Sequence, residues 1–373
     1  MIITTKITSK SDYVRILIKK GRRVIRNGLR RKQKRSIIFD ACERFHYFHI
    51  EPIIRKLIQD NQYDISIIKW NGFKEQDKIL GINYISFDEF WHDMFGLYDI
   101  LVSTELERRP GWFTDGTAIC MFHGAGPKIS YLKNPAINDY NILFCVGPTT
   151  YDALKEYVND DVMIEKIGLP ITDSLTTNQT PSLPKNITID YTKPTLLYAP
   201  SWSLKPDLVS MDEEILYNLS KITDYNIIIR PHPNLLHSSK CGGVDWAPKL
   251  NKLTQSGIQI SYSADHSVYE LLPHIDILLG DISSVTYEFL ILDRPIILYM
   301  KDHVLLDFEA ENFIQPLLNA TNRLQDAGKL DDLLVNISLN DNLKQPSRKF
   351  LLKTTLFNVG SATSHAVNAL NNL

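Results

Sequence analysis

Cysteine is scarce in this chain, and its few cysteines form no recognisable framework. Only four occur in 373 residues, no two form a CxxC pair, and none combines with histidine in a familiar zinc-ligand pattern. This usage indicates reduced thiols and not disulfides or a metal centre. Carboxylate clusters of the DxD type are also lacking beside the motifs described below. The sequence therefore predicts no metal ion and no other cofactor.

Long apolar runs are also missing. No stretch of about 18 apolar residues occurs, so no transmembrane helix is predicted. No apolar region follows the first charges, as it would in a secretory signal. The chain is otherwise globular in composition, with 44% hydrophobic and 23% charged residues. Its length suits two domains of common size.

Acidic residues are almost absent from the first tenth of the chain. Residues 1–36 hold thirteen Lys or Arg and one acid, although the net charge of the whole chain is −2. Within residues 14–35, small and aliphatic residues recur every three or four positions, which predicts a helix with one apolar face. The residues predicted to contact anionic lipid are Arg22, Arg23, Arg26, Arg30 and Arg31.

A basic amphipathic helix fits an anionic bilayer surface, with aliphatic side chains in the acyl boundary and arginines at the phosphates. We therefore predict that residues 1–35 associate with the membrane. Two alternatives remain: the helix packs its apolar face on the rest of the protein, or it binds nucleic acid. No other segment resembles a nucleic-acid-binding module, so no nucleic-acid partner is predicted.

After residue 36, short apolar strands alternate with segments of helical length. Examples are SIIFDA at 36–41, YDILVST at 98–104 and NILFCVG at 141–147. This alternation is typical of a parallel sheet with helices on both faces. A polar stretch with two prolines, residues 173–193, separates this series from a second one and reads as a linker.

The predicted fold class is α/β, with two Rossmann-like, doubly wound domains that face a cleft. The predicted N-terminal domain covers residues 36–180, and the predicted C-terminal domain covers residues 190–350. Residues 351–373 are predicted to form a helix that packs back towards the N-terminal domain. Ligands of such sheets bind beyond the carboxyl ends of the strands, so the loops found there carry the chemistry.

The first chemically rich loop is MFHGAGPK, at 121–128. His123 ends a predicted strand, and Gly124 and Gly126 allow the backbone to approach a ligand closely. Lys128 supplies a point charge suited to a phosphate. A tight turn with a hydrogen-bonded histidine would explain the loop without function, but this combination of residues favours a ligand site.

Two further loops follow strands of the second series. In YAPSW, at 198–202, Ser201 could meet a phosphate, and Trp202 could stack on a base or close the cleft. In IIIRPHPN, at 227–234, Arg230 offers a fork of donors for a phosphate. His232 lies between two prolines and can exchange a proton near neutral pH. The alternative is a structural loop without a binding function, in which the histidine is solvated.

The fourth loop is the start of LLGDISSVTYEFLIL, at 278–292, where a strand ends at Asp281. Ser283 and Ser284 then open a predicted helix, whose free N–H groups would favour an anion. Glu288 lies about one turn further on, where it could accept from a ribose diol. An ordinary helix N-cap is the alternative interpretation.

These four motifs, in this order, resemble the CDP-glycerol glycerophosphotransferase family of teichoic acid primases and polymerases. The family pattern has a His-Gly-Thr-Pro-Leu-Lys-like loop, a Tyr-Ala-Pro-Thr-Trp loop, Arg-Pro-His-Pro, and Asp-Tyr-Ser-Ser followed by an acid. The resemblance spans about residues 117–302. This chain departs from it in Ala-Gly-Pro after Gly124, in Ile282 for the tyrosine and in Glu288 for a frequent aspartate. The segment IGLPITDSL, at 167–175, also resembles a Gly-Tyr-Pro-Arg-x-Asp-x-Leu element of the family but has Ile171 for its arginine.

The resemblance implies a GT-B fold and transfer of a polyol phosphate from CDP-glycerol or CDP-ribitol to a lipid-linked saccharide or polymer acceptor, with release of CMP. It implies that the N-terminal domain binds the acceptor and the C-terminal domain binds the donor. It implies catalysis by His123 as general base, with His232 and Arg230 at the donor pyrophosphate. The remaining donor-binding residues that we predict are Ser201, Trp202, Asp281, Ser283, Ser284, Glu288, Lys128, Gly124 and Gly126.

A lipid-linked acceptor would explain why the chain carries a basic helix that binds the membrane. We therefore predict a peripheral protein on the cytoplasmic face of the cell membrane. Two other functions remain open. A GT-B glycosyltransferase or a sugar-nucleotide epimerase would use a UDP-sugar in a similar cleft, although an epimerase needs several carboxylates beside the sugar. A membrane-docked binding protein would have a decayed site, whereas the histidines, Arg230 and the serine pair are intact here.

Overall fold

The computed structural model describes residues 34–70, 72–86, 98–106, 116–126, 129–177, 179–203, 205, 209–262, 266–300 and 311–373. The predicted basic helix, within residues 1–35, therefore lies almost entirely outside the described residues. Only the end of that segment is described, where Arg35 begins the first strand.

The N-terminal half is built on a seven-stranded, entirely parallel sheet with the strand order β3-β2-β1-β4-β5-β6-β7. The central strands β4 and β6 are buried along their whole length, and β1 and β5 are buried except at their first residue, as expected for a parallel sheet covered on both faces. The strands are β1 Arg35–Asp40, β2 Tyr63–Ile68, β3 Asn83–Ile85, β4 Ile100–Ser103, β5 Thr117–Met121, β6 Ile142–Cys145 and β7 Met163–Lys166.

The described residues of this half form the α-helices α1 Arg44–Asp60, α2 Ile129–Leu132 and α3 Pro148–Leu154. Helix α1 buries Ile50, Ile53, Ile54 and Leu57 against the sheet, at the spacing of three and four that defines a helical face. It ends at Asn61, which takes the left-handed conformation (φ 52°) that closes many helices.

The C-terminal half is built on a six-stranded parallel sheet with the order β10-β9-β8-β11-β12-β13. Its strands are β8 Thr195–Ala199, β9 Asn226–Ile229, β10 Gln259–Ile260, β11 Ile277–Gly280, β12 Ile296–Tyr299 and β13 Asn322–Leu324. Its α-helices are α4 Glu213–Leu219, α5 Ala247–Leu253, α6 Ser284–Glu288, α7 Glu311–Ala320, α8 Leu330–Asn340 and α9 Gln345–Thr355.

Short 3₁₀ helices connect these elements. They are Glu75–Asp77, Pro135–Asp139, Pro170–Thr176, Pro233–Leu236, Ser238–Lys240, Thr254–Ser256, Val268–Glu270, Leu272–His274, Phe289–Leu292, Ala327–Lys329 and Asp341–Leu343. The helix Pro170–Thr176 falls at the start of the predicted linker, and an irregular stretch follows it up to β8.

The last helix, α10 Ala362–Asn371, returns to the N-terminal half. Its residues Ala366, Val367 and Leu370 share a buried cluster with α1 and the first sheet. The hydroxyl of Tyr63 donates to the carbonyl oxygen of Leu370 at 2.8 Å. The chain therefore crosses between the halves twice, and the predicted domain boundaries stay a prediction.

In both sheets the chain reverses its strand order at one point, between β1 and β4 in the first sheet and between β8 and β11 in the second. Loops that leave adjacent strands at such a point diverge and open a crevice for a ligand. Among the described residues, we find no helix that is both long and apolar enough to cross a membrane.

Candidate functional site

The ring of His123 is oriented by the backbone of the neighbouring strand end. Its Nδ1 atom lies 2.9 Å from the carbonyl oxygen of Thr104, just after β4. A carbonyl oxygen can only accept, so Nδ1 carries the proton and donates it. In the neutral imidazole the other nitrogen, Nε2, then holds the lone pair. His123 thus offers a proton acceptor at the half-buried edge of the first sheet.

The hydrogen bond of the His232 ring fixes the opposite tautomer. Its Nδ1 atom accepts a hydrogen bond from the backbone N–H of Asn234 at 3.2 Å and so caps the 3₁₀ helix Pro233–Leu236. A backbone N–H can only donate, so Nδ1 holds the lone pair and Nε2 carries the proton. The flanking prolines fix the local backbone. His232 thus offers a hydrogen-bond donor on the half that carries the second sheet.

Phe45, at the start of α1, lies between the two histidines. Its ring centroid is 6.5 Å from that of His123 and 6.3 Å from that of His232. Trp202 also lies beside His232, with ring centroids 5.8 Å apart and 37% of the tryptophan exposed. The structure therefore brings His123, His232 and Trp202 to one crevice between the two halves.

The loop of His123 packs tightly on the start of α6 in the other half. A side chain at Gly124 would collide with the hydroxyl of Ser284. Gly126 has φ +102°, and a Cβ atom there would lie 2.7 Å from the ring of Tyr287. Both glycines are thus needed for close approach of the two halves, and contact between them and a ligand stays a prediction.

Glu288 joins the halves through its buried carboxylate. Its Oε1 accepts from the backbone N–H of Ala125 at 3.2 Å, and its Oε2 accepts from the hydroxyl of Tyr269 at 2.6 Å. Burial and then the negative charge of Glu288 raise the pKa of Tyr269 well above its usual range, so this hydroxyl stays a donor. Both oxygens accept hydrogen bonds from protein groups, and the contact of Glu288 with a ribose stays a prediction.

Asp281 forms the centre of a second buried network. Its Oδ2 accepts from the backbone N–H and the hydroxyl of Ser201, both at 2.7 Å, and from the hydroxyl of Ser210 at 2.6 Å. Burial raises the pKa of the Asp281 carboxyl, although the bonds from Ser210 and Ser201 act in the opposite sense. These contacts join two of the predicted loops, from Tyr198–Trp202 and from Asp281–Ser284.

Ser283 is the N-cap residue of α6, and its hydroxyl lies 3.2 Å from that of Thr286. Arg230 is almost completely buried. Its guanidinium donates to the hydroxyl of Ser261 and to the carbonyl oxygen of His266, both at 2.7 Å. These bonds organise the interior of the C-terminal half, so a phosphate contact by Arg230 stays a prediction.

Several predicted functional residues lie outside the described residues. They are Lys128 and the predicted membrane-binding residues Arg22, Arg23, Arg26, Arg30 and Arg31.

The side chains that surround His123 were not predicted as site residues from the sequence. His46, in the first turn of α1, has its ring centroid 4.3 Å from that of His123. Its Nε2 lies 3.3 Å from Oε1 of Glu105, which follows β4. Together with Cys42, these two residues form a group of possible metal ligands. The signal was the run CERFH at 42–46, directly after a buried strand, with Cys42 and His46 one helical turn apart.

Comparison with known proteins supports the resemblance. A sequence profile described as "CDP-Glycerol:Poly(glycerophosphate) glycerophosphotransferase" matches residues 133–313. The teichoic acid glycerol-phosphate primase of Bacillus subtilis is 27% identical over 159 residues, which cover 40% of this chain and 36% of that protein. The resemblance to the CDP-glycerol glycerophosphotransferase family is confirmed. The matched region includes the Arg230–Pro233 and Asp281–Ser284 loops but begins after His123.

A second primase, from Bacillus spizizenii, is 24% identical over 234 residues, covering 59% of this chain and 55% of that protein. The chain thus matches little more than half of either relative's length at most.

Solved structures of this fold confirm the predicted fold class. The wall teichoic acid polymerase TagF matches with a TM-score of 0.68 and 18% identity, covering 96% of this chain and 98% of that one. The architecture is therefore GT-B. The S. aureus MnaA complex with UDP also matches, with a TM-score of 0.58, 11% identity, and coverage of 91% and 98%. At such identities the likeness is one of fold alone.

Proposed function

We propose that the protein transfers a polyol phosphate, most readily glycerol phosphate, from a CDP-activated donor to an acceptor hydroxyl and releases CMP. The observation that carries this proposal is the opposite orientation of two imidazoles around Phe45. The bond from Nδ1 of His123 leaves a lone pair at its Nε2, and the bond accepted by Nδ1 of His232 leaves an N–H group at its Nε2. Phosphoryl transfer from a diphosphate uses both, a base for the attacking hydroxyl and a donor for the leaving phosphate.

In the proposed reaction the acceptor hydroxyl attacks the β-phosphorus of the donor in line with the bond to CMP. His123 Nε2 takes the hydroxyl proton, while its Nδ1–H stays bound to the Thr104 carbonyl, which stabilises the resulting imidazolium. A new acceptor O–P bond forms as the P–O bond to CMP breaks. His232 Nε2–H donates to an oxygen of the departing phosphate. Positioning and charge stabilisation supply most of the rate, and no step uses a metal ion.

The nature of the donor is supported by two comparisons. The description of the matching family profile names CDP-glycerol. A substituted variant of the TagF polymerase was studied after soaking with CDPG. By analogy we place the donor against the C-terminal half, next to His232 and Trp202. CDP-ribitol has the same diphosphate and nucleoside, so it is the second donor that we propose.

The acceptor in this proposal is a lipid-linked saccharide or polymer. The two curated relatives are primases of teichoic acid synthesis, which supports a role in teichoic-acid-like or capsular polymer synthesis. The basic residues 1–35 would hold the protein at the anionic cytoplasmic face of the membrane, where such an acceptor lies. The protein would act as a primase or as a single-module polymerase.

In this proposal, the other residues predicted to bind the CDP-activated donor mainly hold the loops of the site in position. The internal bonds of Asp281 and Ser201 hold the loop of Trp202, and those of Arg230 support the strand end that precedes His232. Glu288 fixes Ala125 and thereby the loop of His123 relative to α6. The hydroxyl of Ser284 lies at the interface with Gly124 of the other half.

The proposal is tested by offering the protein several nucleotide donors. CDP-glycerol, CDP-ribitol and two UDP-sugars are incubated separately with a lipid-linked disaccharide in detergent, and released CMP and UDP are separated chromatographically. We expect CMP release that depends on the acceptor and equals the polyol phosphate transferred. Omitting the acceptor measures hydrolysis. Release of UDP without CMP would reject the proposal and favour a GT-B enzyme that uses a UDP-sugar.

A further inference from the structure

We propose that Cys42, His46 and Glu105 form a zinc-binding site beside His123. One ligand atom from each residue, namely sulfur, imidazole nitrogen and carboxylate oxygen, lies within 4.8 Å of the other two. In the part of the chain that the structure describes, no other group of three or more such residues lies this close together. The site is separate from the reaction proposed above, which uses no metal ion.

The backbone brings these three residues together from different segments. Cys42 follows β1, Glu105 follows β4, and His46 lies in the first turn of α1. Strands β1 and β4 are adjacent and mark the point where the strand order reverses, so their loops border the crevice. His46 is 3% exposed and cannot swing away into solvent. The convergence is therefore part of the fold and not a chance meeting of surface side chains.

The separation between two of the ligands fits a shared ion. Nε2 of His46 lies 3.3 Å from Oε1 of Glu105. Nitrogen and oxygen ligands at about 2.1 Å from a tetrahedral zinc ion are about 3.4 Å apart. A small approach of the Cys42 sulfur completes three corners of the tetrahedron. A fourth position remains for water or a substrate oxygen, as in zinc sites with three protein ligands.

The donor set selects the class of metal. A thiolate combined with imidazole and carboxylate suits zinc and similar transition metals, whereas magnesium and calcium prefer oxygen ligands alone. Binding replaces protons, because the thiol of Cys42 must ionise and the ion takes the place of any proton between His46 and Glu105. Zinc uptake should therefore release up to two protons per ion, and it should weaken as the pH falls.

The ion would also restrain the proposed base. Glu105 directly follows Thr104, whose carbonyl oxygen orients His123, and the rings of His46 and His123 are 4.3 Å apart. Zinc bound to Glu105 and His46 would fix the positions of the two groups beside the His123 ring, the Thr104 carbonyl and the His46 ring. This consequence rests on the proposed function, whereas the metal site itself does not.

The site is tested by titrating the full chain, freed of metal with a chelator, with cobalt(II), which reports thiolate ligation by a near-ultraviolet absorption band. We expect one equivalent of cobalt to bind, to give this band, and to be displaced by zinc. In Cys42→Ser the band should disappear. In Glu105→Gln, which keeps the side-chain volume, zinc affinity should fall at least about tenfold.

Cys241→Ser is the matched control, because Cys241 is a buried thiol in the other half of the molecule. Its cobalt spectrum and zinc affinity should match those of the unsubstituted protein. Melting curves without metal show whether each variant is folded. No thiolate band in the unsubstituted protein, or an equal band in Cys42→Ser, would overturn the proposal.

An activity measurement separates this inference from the proposed function. If zinc binds as expected, its removal should lower kcat for CMP release without changing the KM of the donor. Zinc binding with unchanged kcat supports the metal site and contradicts its effect on His123. Zinc binding in a protein that never releases CMP supports the site and rejects the proposed reaction alone.

Discussion

His123→Asn should lower kcat for CMP release by about 100- to 10,000-fold, the usual contribution of a general base. The asparagine side-chain amide can still donate to the Thr104 carbonyl, as Nδ1 of His123 does. What it lacks is the lone pair at Nε2 that takes the proton of the acceptor hydroxyl. The KM of the CDP-activated donor should stay close to its original value, because the substitution lies on the acceptor side. Steady-state assays at saturating acceptor give both constants.

His365→Asn provides a matched control for this substitution. Nδ1 of His365 also lies near a backbone carbonyl oxygen, that of Ser361, at 3.0 Å. His365 is exposed on α10, however, and belongs to no part of the crevice. Its substitution should leave kcat unchanged. Equal rates in His123→Asn and His365→Asn would show that His123 is not the base.

His232→Asn should reduce kcat by about 100- to 1,000-fold, the range found when one donor to a developing negative charge is removed. The side-chain oxygen of asparagine can replace Nδ1 as the acceptor for the backbone N–H of Asn234, so the 3₁₀ turn should persist. The N–H group directed into the crevice is lost. The effect should appear in kcat, because the leaving phosphate gains its charge in the transition state.

A second substitution at the same position separates this role from a structural one. His232→Gln places an amide N–H near the former Nε2 but gives up the short-range acceptor for Asn234. If the hydrogen-bond donor at position 232 matters, kcat of the glutamine variant should be clearly higher than kcat of the asparagine variant. If capping matters instead, the order of the two rates should be reversed. Thermal unfolding of both variants shows how much of the loop structure each retains.

The fold was largely predictable because parallel strands buried on both faces have a simple pattern. Segments such as SIIFDA and NILFCVG have few polar residues, and they form β1 and β6. The bounds were less predictable. The segment FHIEPIIRKLIQD, at 48–60, predicts a helix by its apolar spacing, whereas α1 already begins at Arg44. In that first turn Arg44 pairs with Asp77 and His46 lies beside His123, so the apolar periodicity that marks a helix starts only after them.

The histidines of the site were recognisable because each ends a strand in an unusual local sequence. Their neighbours were not, since His46 lies far from His123 along the chain and meets it only because β1, β4 and β5 are adjacent in the sheet. Strand order depends on long-range packing, which local patterns do not encode. The roles of individual ring nitrogens likewise depend on backbone groups, the carbonyl of Thr104 and the N–H of Asn234, which residue types do not reveal.

Arg230 and Glu288 show where reasoning from residue type reaches its limit. Arg230 directly follows a strand and Glu288 ends the helix after another strand. Ligand contacts are predicted for both, and they stay predictions. The guanidinium of Arg230 is bonded to Ser261 and His266, beyond the end of the adjacent strand β10. The carboxylate of Glu288 faces Ala125 and Tyr269 because α6 ends there against the N-terminal half. Charge indicates that a partner exists but does not indicate which one.

The most direct test of the assigned roles is nitrogen NMR of histidine-labelled protein, in which long-range proton–nitrogen couplings distinguish the two neutral tautomers. Signals are assigned by their loss in His123→Asn and His232→Asn. At a pH where both rings are neutral, we predict a proton on Nδ1 of His123 and on Nε2 of His232. A proton on Nε2 of His123, or on Nδ1 of His232, would contradict the division into base and donor.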